Sequence, residues 1–472
     1  MSSTYIGGEW VEPGATIPVT NPADDSVIAE IGYGGAAEAK AACDAAADAF
    51  PAWAATSARQ RADVLRAVAD QLVARAGPIG TLLAKETGKR LPEGIAEIGF
   101  AAEYFRWFAE EIRRPSGQVL AEEAVGRRQL ALRRPAGVAL CLTPWNFPVS
   151  IQARKLAPAL AAGCTTVCRT SEQAPLVVVE VFRVLAEVGL PAGVANLVHG
   201  PAAEQTDAML SHPAVRVVSF TGSTEVGRRV MALAASRIVR PLLELGGDAP
   251  FVVLDDADVD AAVEGALIAK FRNNGQSCIA ANRFIVHAGI ADEFREKLVS
   301  RVDAMVVGDP TGDPVPDLGP LINAERMAAV RSVIDEAVAA GARRLTAEIK
   351  VPDSGAYLAP ALFDNVPADV RLGCAEIFGP VAGIFTVDSD DEALALANNT
   401  EMGLAGYVYT SDSARAWRFI EHLEVGIVGC NSALPSAVNA PMGGVKQSGL
   451  GREGDHLGVE EFCQTQYASW TL

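Results

Sequence analysis

The chain has 472 residues, half of them hydrophobic, which suits roughly two to three domains with sizeable cores. Its net charge of −18 excludes functions built on a concentrated basic surface, such as nucleic-acid or anionic-membrane binding. No apolar run approaches the ~18 residues of a membrane span, and the start, MSSTYIGGEWVEPG, lacks the basic and apolar regions of a secretory signal.

The first clear element is an Ala-rich segment, Ala36–Ala55, with apolar residues at helical spacing; it reads as a packed helix. From about Leu132 to Leu245, β-branched runs alternate with helical ones. LRRPAGVALCL reads as a strand, SIQARKLAPALAAG as a helix ending at Gly163, and CTTVCRT as a strand. PLVVVEVFRVLAEVG is a helix with Pro175 at its start and Gly189 at its end. VANLVHG, AVRVVSFTG and RPLLELGG follow as strands, separated by the helices AAEQTDAMLS and STEVGRRVMALAAS. This alternation predicts an α/β fold whose parallel sheet is covered on both faces. A second α/β run starts near Pro250 and continues to about Asn431. GQVLAEEAVGRRQLALRR and FCQTQYASWTL read as strands outside either unit.

The eight cysteines (43, 141, 164, 168, 278, 374, 430 and 463) form no CxxC, and the five histidines stand apart, so no metal site is expected. A reduced cytoplasmic setting is the expected one.

One cysteine differs in its surroundings. In NNGQSCIA, Cys278 follows a glycine and amide side chains on a predicted turn. A small buried hydrophobe is one reading. A nucleophile held within reach of a substrate is the other. LLELGGD ends a strand with Glu244, a candidate general base or a salt-bridged structural carboxylate. In TPWNFPVS two prolines stiffen the backbone around Asn146, whose amide is a candidate oxyanion donor or a turn former. In SFTGSTEVG a strand ends, Gly222 allows a tight turn, and Ser223 or Thr224 can cap a helix whose free N–H groups attract phosphate. One strand back, VCRTSEQAP puts Arg169 and Glu172 at a carboxyl end, where open α/β sheets bind nucleotides. Glu172 would accept ribose hydroxyls and repel a 2′-phosphate, which favours NAD over NADP. GLGREG, Gly449–Gly454, matches G-x-G-x-x-G but follows a loop, so it reads as an ordered glycine-rich loop.

A thiol, a carboxylate, an amide donor and a dinucleotide site make chemical sense together for aldehyde oxidation. Cys278 would add to the carbonyl, Asn146 and the Cys278 N–H would stabilise the oxyanion, and Glu244 would activate water to release the acid.

At these residues the chain resembles the aldehyde dehydrogenase superfamily. The match runs over essentially the whole chain, through PWNFP, RKLAPALAAGCTTV, FTGSTEVG, LELGGDAP, NNGQSCIAANR, EIFGPV and PMGGVKQSGLGRE. The resemblance implies Cys278 as nucleophile, Glu244 as base and Asn146 as oxyanion donor. It implies Lys155 and Glu172 near the adenosine ribose, with Arg169 beside them. Trp145, Phe220, Gly222, Ser223, Gly227 and Leu245 would line the cofactor cleft. Glu376 would hold the nicotinamide ribose, and Phe378 would lie beside the nicotinamide. It implies two doubly wound α/β domains, a cofactor domain of residues 1–115 and 138–246 and a catalytic domain of 247–445. Residues 116–137 and 446–472 would form an oligomerisation hairpin and C-terminal strand, giving a homodimer or homotetramer. The family commonly has Lys-Pro where this chain has Arg169-Thr170, so NADP stays open beside NAD.

Within the superfamily the resemblance is closest to succinate-semialdehyde dehydrogenases. Arg154 in QARKLAP, Arg272 in FRNNGQSC and Ser436 in NSALPSAVNAPMGG match the residues that bind the far carboxylate there. Guanidinium groups suit that task through bidentate, charge-assisted contacts. Each arginine alone is also compatible with a structural ion pair. Other readings are a dehydrogenase for glutarate semialdehyde or a neutral aldehyde, a non-catalytic relative, and a thiol hydrolase. Ala280 stands where some relatives carry a second cysteine, so their redox switch is not expected here.

Overall fold

The runs between Leu132 and Leu245 assemble into one sheet in the computed structural model, which describes residues 3–114 and 116–471. Across it the strands are Gly449–Leu450, Arg240–Glu244, Val215–Thr221, Val138–Thr143, Thr165–Thr170, Ala195–Val198, Thr4–Ile6 and Glu9–Val11. The five from Arg240–Glu244 to Ala195–Val198 are parallel. Their side chains are apolar on both faces because helices cover both; all six residues of Val138–Thr143 are buried. The chain winds from Val138–Thr143 outward in one direction, then returns to its other side at Val215–Thr221. That reversal opens a crevice at the carboxyl ends of these two strands, the position where doubly wound sheets hold nucleotides.

The helix Pro148–Ala162 follows the first of these strands, and every one of its 15 residues is buried. A helix apolar on most faces must sit between layers; this one packs on the sheet and under the helices Ala58–Ala74 and Leu91–Glu111. Gly163, at φ +95°, ends it. Its few polar residues, Arg154 and Lys155 among them, are therefore forced into a buried network.

The second α/β run forms a seven-stranded sheet: Arg343–Arg344, Ala361–Asp364, Val381–Val387, Ala281–His287, Ala249–Val253, Ala405–Tyr409 and Ile427–Cys430. All but the Arg343–Arg344 edge are parallel. Phe251 at its centre stacks on Tyr409 at 4.9 Å and meets Phe284 edge-on at 5.4 Å. The orphan segments Gln118–Val119, Arg127–Pro135 and Cys463–Thr471 make a separate antiparallel sheet.

Two expectations need correction. LRRPAGVALCL is not one strand: it breaks after Pro135, and Gly137, at φ +137°, turns the chain from the small sheet into the large one. Residues 446–472 do not all belong to the outer sheet. Gly449–Leu450 pairs antiparallel with Leu243 and Glu244 and so closes the edge of the first sheet. Gly449, at φ +150°, makes this possible, since a Cβ there would collide with the Leu243 carbonyl. Among the described residues, no helix is long and apolar enough to cross a membrane.

Candidate active site

Cys278 is presented by a turn that only short polar residues tolerate. Asn273, Asn274 and Gly275 take φ of 52°, 58° and 74° in succession. Asparagine enters this left-handed region more readily than most residues because its amide bonds locally. Asn273 Nδ2 donates to the Asn146 carbonyl at 2.9 Å and the Gln276 carbonyl at 3.0 Å. Asn274 Nδ2 donates to the carbonyls of Gly88 and Pro320, and its Oδ1 accepts from Gly319 N at 2.8 Å. Gln276 Oε1 accepts from Ile322 N at 3.0 Å. The amides of NNGQSC thus fix the thiol's turn to elements from both halves of the chain.

Glu244 ends its strand 1 % exposed, and the Cys278 thiol donates to Glu244 Oε1 at 3.2 Å. Burial pushes the Cys278 thiol up, and the Glu244 carboxylate adds to this, so the resting thiol keeps its proton. Asn146, at the start of the Pro148–Ala162 helix, directs its Nδ2 toward the Gln276 carbonyl at 3.2 Å. Its backbone carbonyl accepts from Lys89 Nζ at 2.8 Å. Lys89 pairs in turn with buried Glu97, whose other oxygen accepts from Val149 N and Ser150 N. Lys89, in the short connection after the helix Ala76–Thr87, and Glu97, on the helix Leu91–Glu111, hold the amide in place; neither is marked in the sequence, because nothing local distinguishes them from exposed charged residues.

Cys278 lines two cavities at once. One, of about 330 Å³, is lined by Trp145, Asn146, Gly222, Ser223, Leu245, Gly246, Glu376 and Phe378, together with Arg326. The ring of Trp145 meets Phe378 edge-on at 5.4 Å. The other, of about 340 Å³, is lined by Arg154, Arg272, Ser436, Phe147, Leu434 and Met442.

The first cavity lies at the carboxyl ends of the parallel strands, where the helix Thr224–Ala235 begins with Ser223 as its cap. Its N-terminal N–H groups suit a pyrophosphate. Burial raises Glu376 to about 7, while Oε1 accepts from Gly247 N at 3.3 Å. A carboxylate so placed can accept ribose hydroxyls. These residues fit a dinucleotide. Arg169 and Glu172 sit at the next strand's carboxyl end, where Arg169 Nη2 donates to Glu172 Oε2 at 2.8 Å and to the Gly200 carbonyl. Three expected cofactor residues stand behind the wall instead. Phe220 packs in the core against Gly222, and Gly227 packs under Leu245. Lys155 is a correction: it is wholly buried, its Nζ bonded to Ser219 Oγ at 2.9 Å and paired with Glu453, so it offers no face to a ribose.

In the second cavity Arg272 lies over the Phe147 ring at 5.0 Å, and no described carboxylate is within ion-pair range of it. Ser436 Oγ points to Met442 Sδ at 3.5 Å. Arg154 departs from the expected pair of free guanidiniums. Its Nη2 donates to Glu244 Oε2 at 3.1 Å and its Nε pairs with Glu453 Oε2 at 2.7 Å. Glu453 lies in GLGREG, and no local pattern marks it as a buried charge; only the chain reversal at Gly449 brings it under the sheet. Among the described residues, no three His, Cys, Asp or Glu are grouped to hold a metal.

A parallel sheet with a dinucleotide cleft, joined through one thiol to a second cavity, defines a cysteine-dependent oxidoreductase. Residues 10–468 match the aldehyde dehydrogenase family model, and the chain belongs to that family. It is 42% identical to a glutarate-semialdehyde dehydrogenase of Pseudomonas aeruginosa and to succinate-semialdehyde dehydrogenase [NADP(+)] GabD of Escherichia coli, each over 98% of this chain and 96% of the relative. The crystal structure of succinate-semialdehyde dehydrogenase from Burkholderia pseudomallei superposes with a TM-score of 0.98 at 41% identity, covering 100% of this chain and 98% of that one.

Proposed function

We propose that the protein oxidises a short aldehyde bearing a carboxylate, succinate semialdehyde first, to the acid with NAD(P)+. The observation that carries this is Arg272: a guanidinium without a carboxylate partner in the same cavity as the Cys278 thiol and Ser436. A fixed cation there favours an aldehyde whose far end is anionic. Glutarate semialdehyde is the second reading, supported by the equal identity to the two relatives named above.

The residues divide the work as follows. Glu244 Oε1 receives the Cys278 proton, and Sγ adds to the aldehyde carbon. The resulting oxyanion is met by the Asn146 amide. NAD(P)+, when bound, supplies the two-electron acceptor. Trp145, Leu245, Glu376 and Phe378 would hold it beside the thiol, and Ser223 with the helix it caps would receive its phosphates. The acyl group then rests on Sγ; Glu244, once it has passed the thiol proton to solvent, takes a proton from the water that attacks the acyl carbon, and Sγ leaves as the acid is released. Arg272 and Ser436 keep the substrate's carboxylate end in place throughout.

The reading includes a homo-oligomer, a dimer or tetramer, in the cytoplasm. The outer antiparallel sheet supports the first part: Val119, Tyr467 and Trp470 are exposed on it, and such apolar surface is commonly covered by another chain. Light scattering gives the subunit number. The substrate is tested by NAD+ and NADP+ reduction with succinate semialdehyde, glutarate semialdehyde, propanal, benzaldehyde and betaine aldehyde. The reading expects the highest kcat/KM for succinate semialdehyde; a higher value for propanal or betaine aldehyde removes the carboxylate from it.

A further inference from the structure

Away from the reacting thiol, a cavity of about 360 Å³ opens where the outer antiparallel sheet meets the first domain. Arg61, Arg114, Arg133, Arg134 and His456 line it, in a chain whose net charge is −18. Among the described residues, Glu111 is the only carboxylate on its wall. Arg114 Nε pairs with Glu111 at 2.8 Å, and Arg133 pairs with Glu460 behind the wall. Arg134 pairs with no described carboxylate; its Nε donates to the side-chain carbonyl of Gln466.

Arg61 is the unusual member. It is 9 % exposed, and a buried arginine is ordinarily paired with an acid. The other two buried arginines follow that rule: Arg154 meets Glu244 and Glu453, and Arg283 meets Asp248. Arg61 instead donates from Nε to the Ala161 carbonyl at 2.8 Å and from Nη1 to the Thr56 carbonyl. The Ala161 carbonyl lies at the end of the buried helix Pro148–Ala162. A helix C-terminus carries roughly half a negative charge. This cap satisfies donors and offsets part of the guanidinium charge, not all of it. Burial lowers the pKa of Arg61, and the groups that act the other way are two thiols, Cys463 and Cys164, with no acid among them.

We infer that this cavity is a second binding site, for a small organic dianion carrying a phosphate monoester or two carboxylates, with Arg61 and Arg134 as its principal cations. Glu111 and Glu460 offset Arg114 and Arg133, so two guanidinium charges are left over, and these set the charge of the ligand. Guanidinium forks match phosphoryl and carboxylate oxygens alike. The volume lies at the lower end of small-molecule sites and is close to that of each cavity at Cys278. Ile112, Leu132 and Val459 add apolar wall, which suits an organic anion better than a bare ion. None of the lining residues is shared with the two cavities at Cys278, so the site is separate from the reaction. Its parts come from the turn between the helices Ala36–Ala54 and Ala58–Ala74, the end of Leu91–Glu111, and the strands Arg127–Pro135 and Cys463–Thr471. A bound dianion therefore bridges the outer sheet and the first domain, and stabilises that junction.

The test is isothermal titration and thermal unfolding of the full-length protein with two probes, phenyl phosphate and malonate. Saturating NAD+ is present throughout, so that the helix start at Ser223 is not open to the probes. Wild type, Arg61→Gln, Arg134→Gln and Arg272→Gln are compared. We expect one site per chain for at least one probe, and a rise in Tm with its concentration, because the ligand binds the folded state. Binding of phenyl phosphate alone assigns a phosphoryl ligand, and binding of malonate alone a dicarboxylate. Arg134→Gln should weaken binding about tenfold or more, the loss of one charge-assisted contact, and leave NAD+ reduction unchanged. Arg61→Gln should abolish binding; exposed Arg134 carries the test if that variant does not fold. Arg272→Gln should bind as wild type does. Failure of both probes to bind wild type overturns the inference. So does binding that survives Arg134→Gln and is lost in Arg272→Gln, which would place the anion in the aldehyde cavity.

Discussion

Cys278 Sγ stands 3.2 Å from Glu244 Oε1, although 34 residues separate the two in the chain. One belongs to the turn leading into the second sheet, the other to the last parallel strand of the first. The contact makes one carboxylate serve both halves of the proposed reaction. It receives the thiol proton before addition, gives it up to solvent, and receives the water proton at release. No other described carboxylate is within hydrogen-bond distance of that sulfur.

Replacing Glu244 with Gln therefore slows turnover by roughly 10²–10⁴, the range general-base catalysis supplies. The exchange also removes one of the causes that hold the Cys278 thiol protonated, so thiolate forms more readily in the variant than in wild type and acylation suffers less than release. Intact-protein mass spectrometry of Glu244→Gln mixed with aldehyde and NAD+ should then find the acyl adduct on Cys278. Full activity of the variant, or an adduct equally abundant in wild type, counts against this role.

Arg272→Ala removes a charge-assisted contact worth roughly 1.5–3 kcal/mol. The expected loss in kcat/KM for succinate semialdehyde is about 10- to 150-fold, at tenfold per 1.4 kcal/mol. Propanal, with no far carboxylate, should be oxidised as before. Parallel losses for both aldehydes would return Arg272 to a structural role over Phe147.

Glu376 links cofactor affinity to pH. Burial raises its pKa to about 7, so the carboxylate is mostly neutral below that value and charged above it. Only the charged form accepts two ribose hydroxyls well. The KM for NAD+ should fall as pH rises through about 7, and Glu376→Gln should flatten that dependence. Isothermal titration of NAD+ binding at several pH values makes the comparison without turnover.

The turn at Asn274 is tested by geometry rather than charge. Asn274→Ala keeps a Cβ at φ 58° and loses the bonds to Gly88, Pro320 and Gly319. A cost of about 1–3 kcal/mol follows from the buried groups left unpaired, with a smaller addition because alanine, unlike asparagine, has no local side-chain bond to favour the left-handed region. Asn274→Gly removes the strain but not the lost bonds, so it should be the milder change in denaturant unfolding. Equal destabilisation would assign the whole effect to the bonds.

The sequence by itself determined the two α/β runs, the thiol on its turn, the carboxylate at a strand end and the family. Each is a local signal: β-branched runs, helix caps, a Gly next to an amide, and motifs read in order. Asn146, Gly222 and Ser223, read from a proline-stiffened turn and a strand end before a helix, line one cavity with Trp145, Leu245, Glu376 and Phe378, which the family resemblance supplied. Only the tertiary structure decided the electrostatics. Lys155 and Arg154 are adjacent in sequence and look alike as cations, yet both turn to Glu453, which arrives from 298 residues away along the strand at Gly449. Which charge is paired and which has no carboxylate partner depends on distances between elements that no local pattern encodes. That is why Arg272 and Arg154, equal candidates in the sequence, part company in the fold.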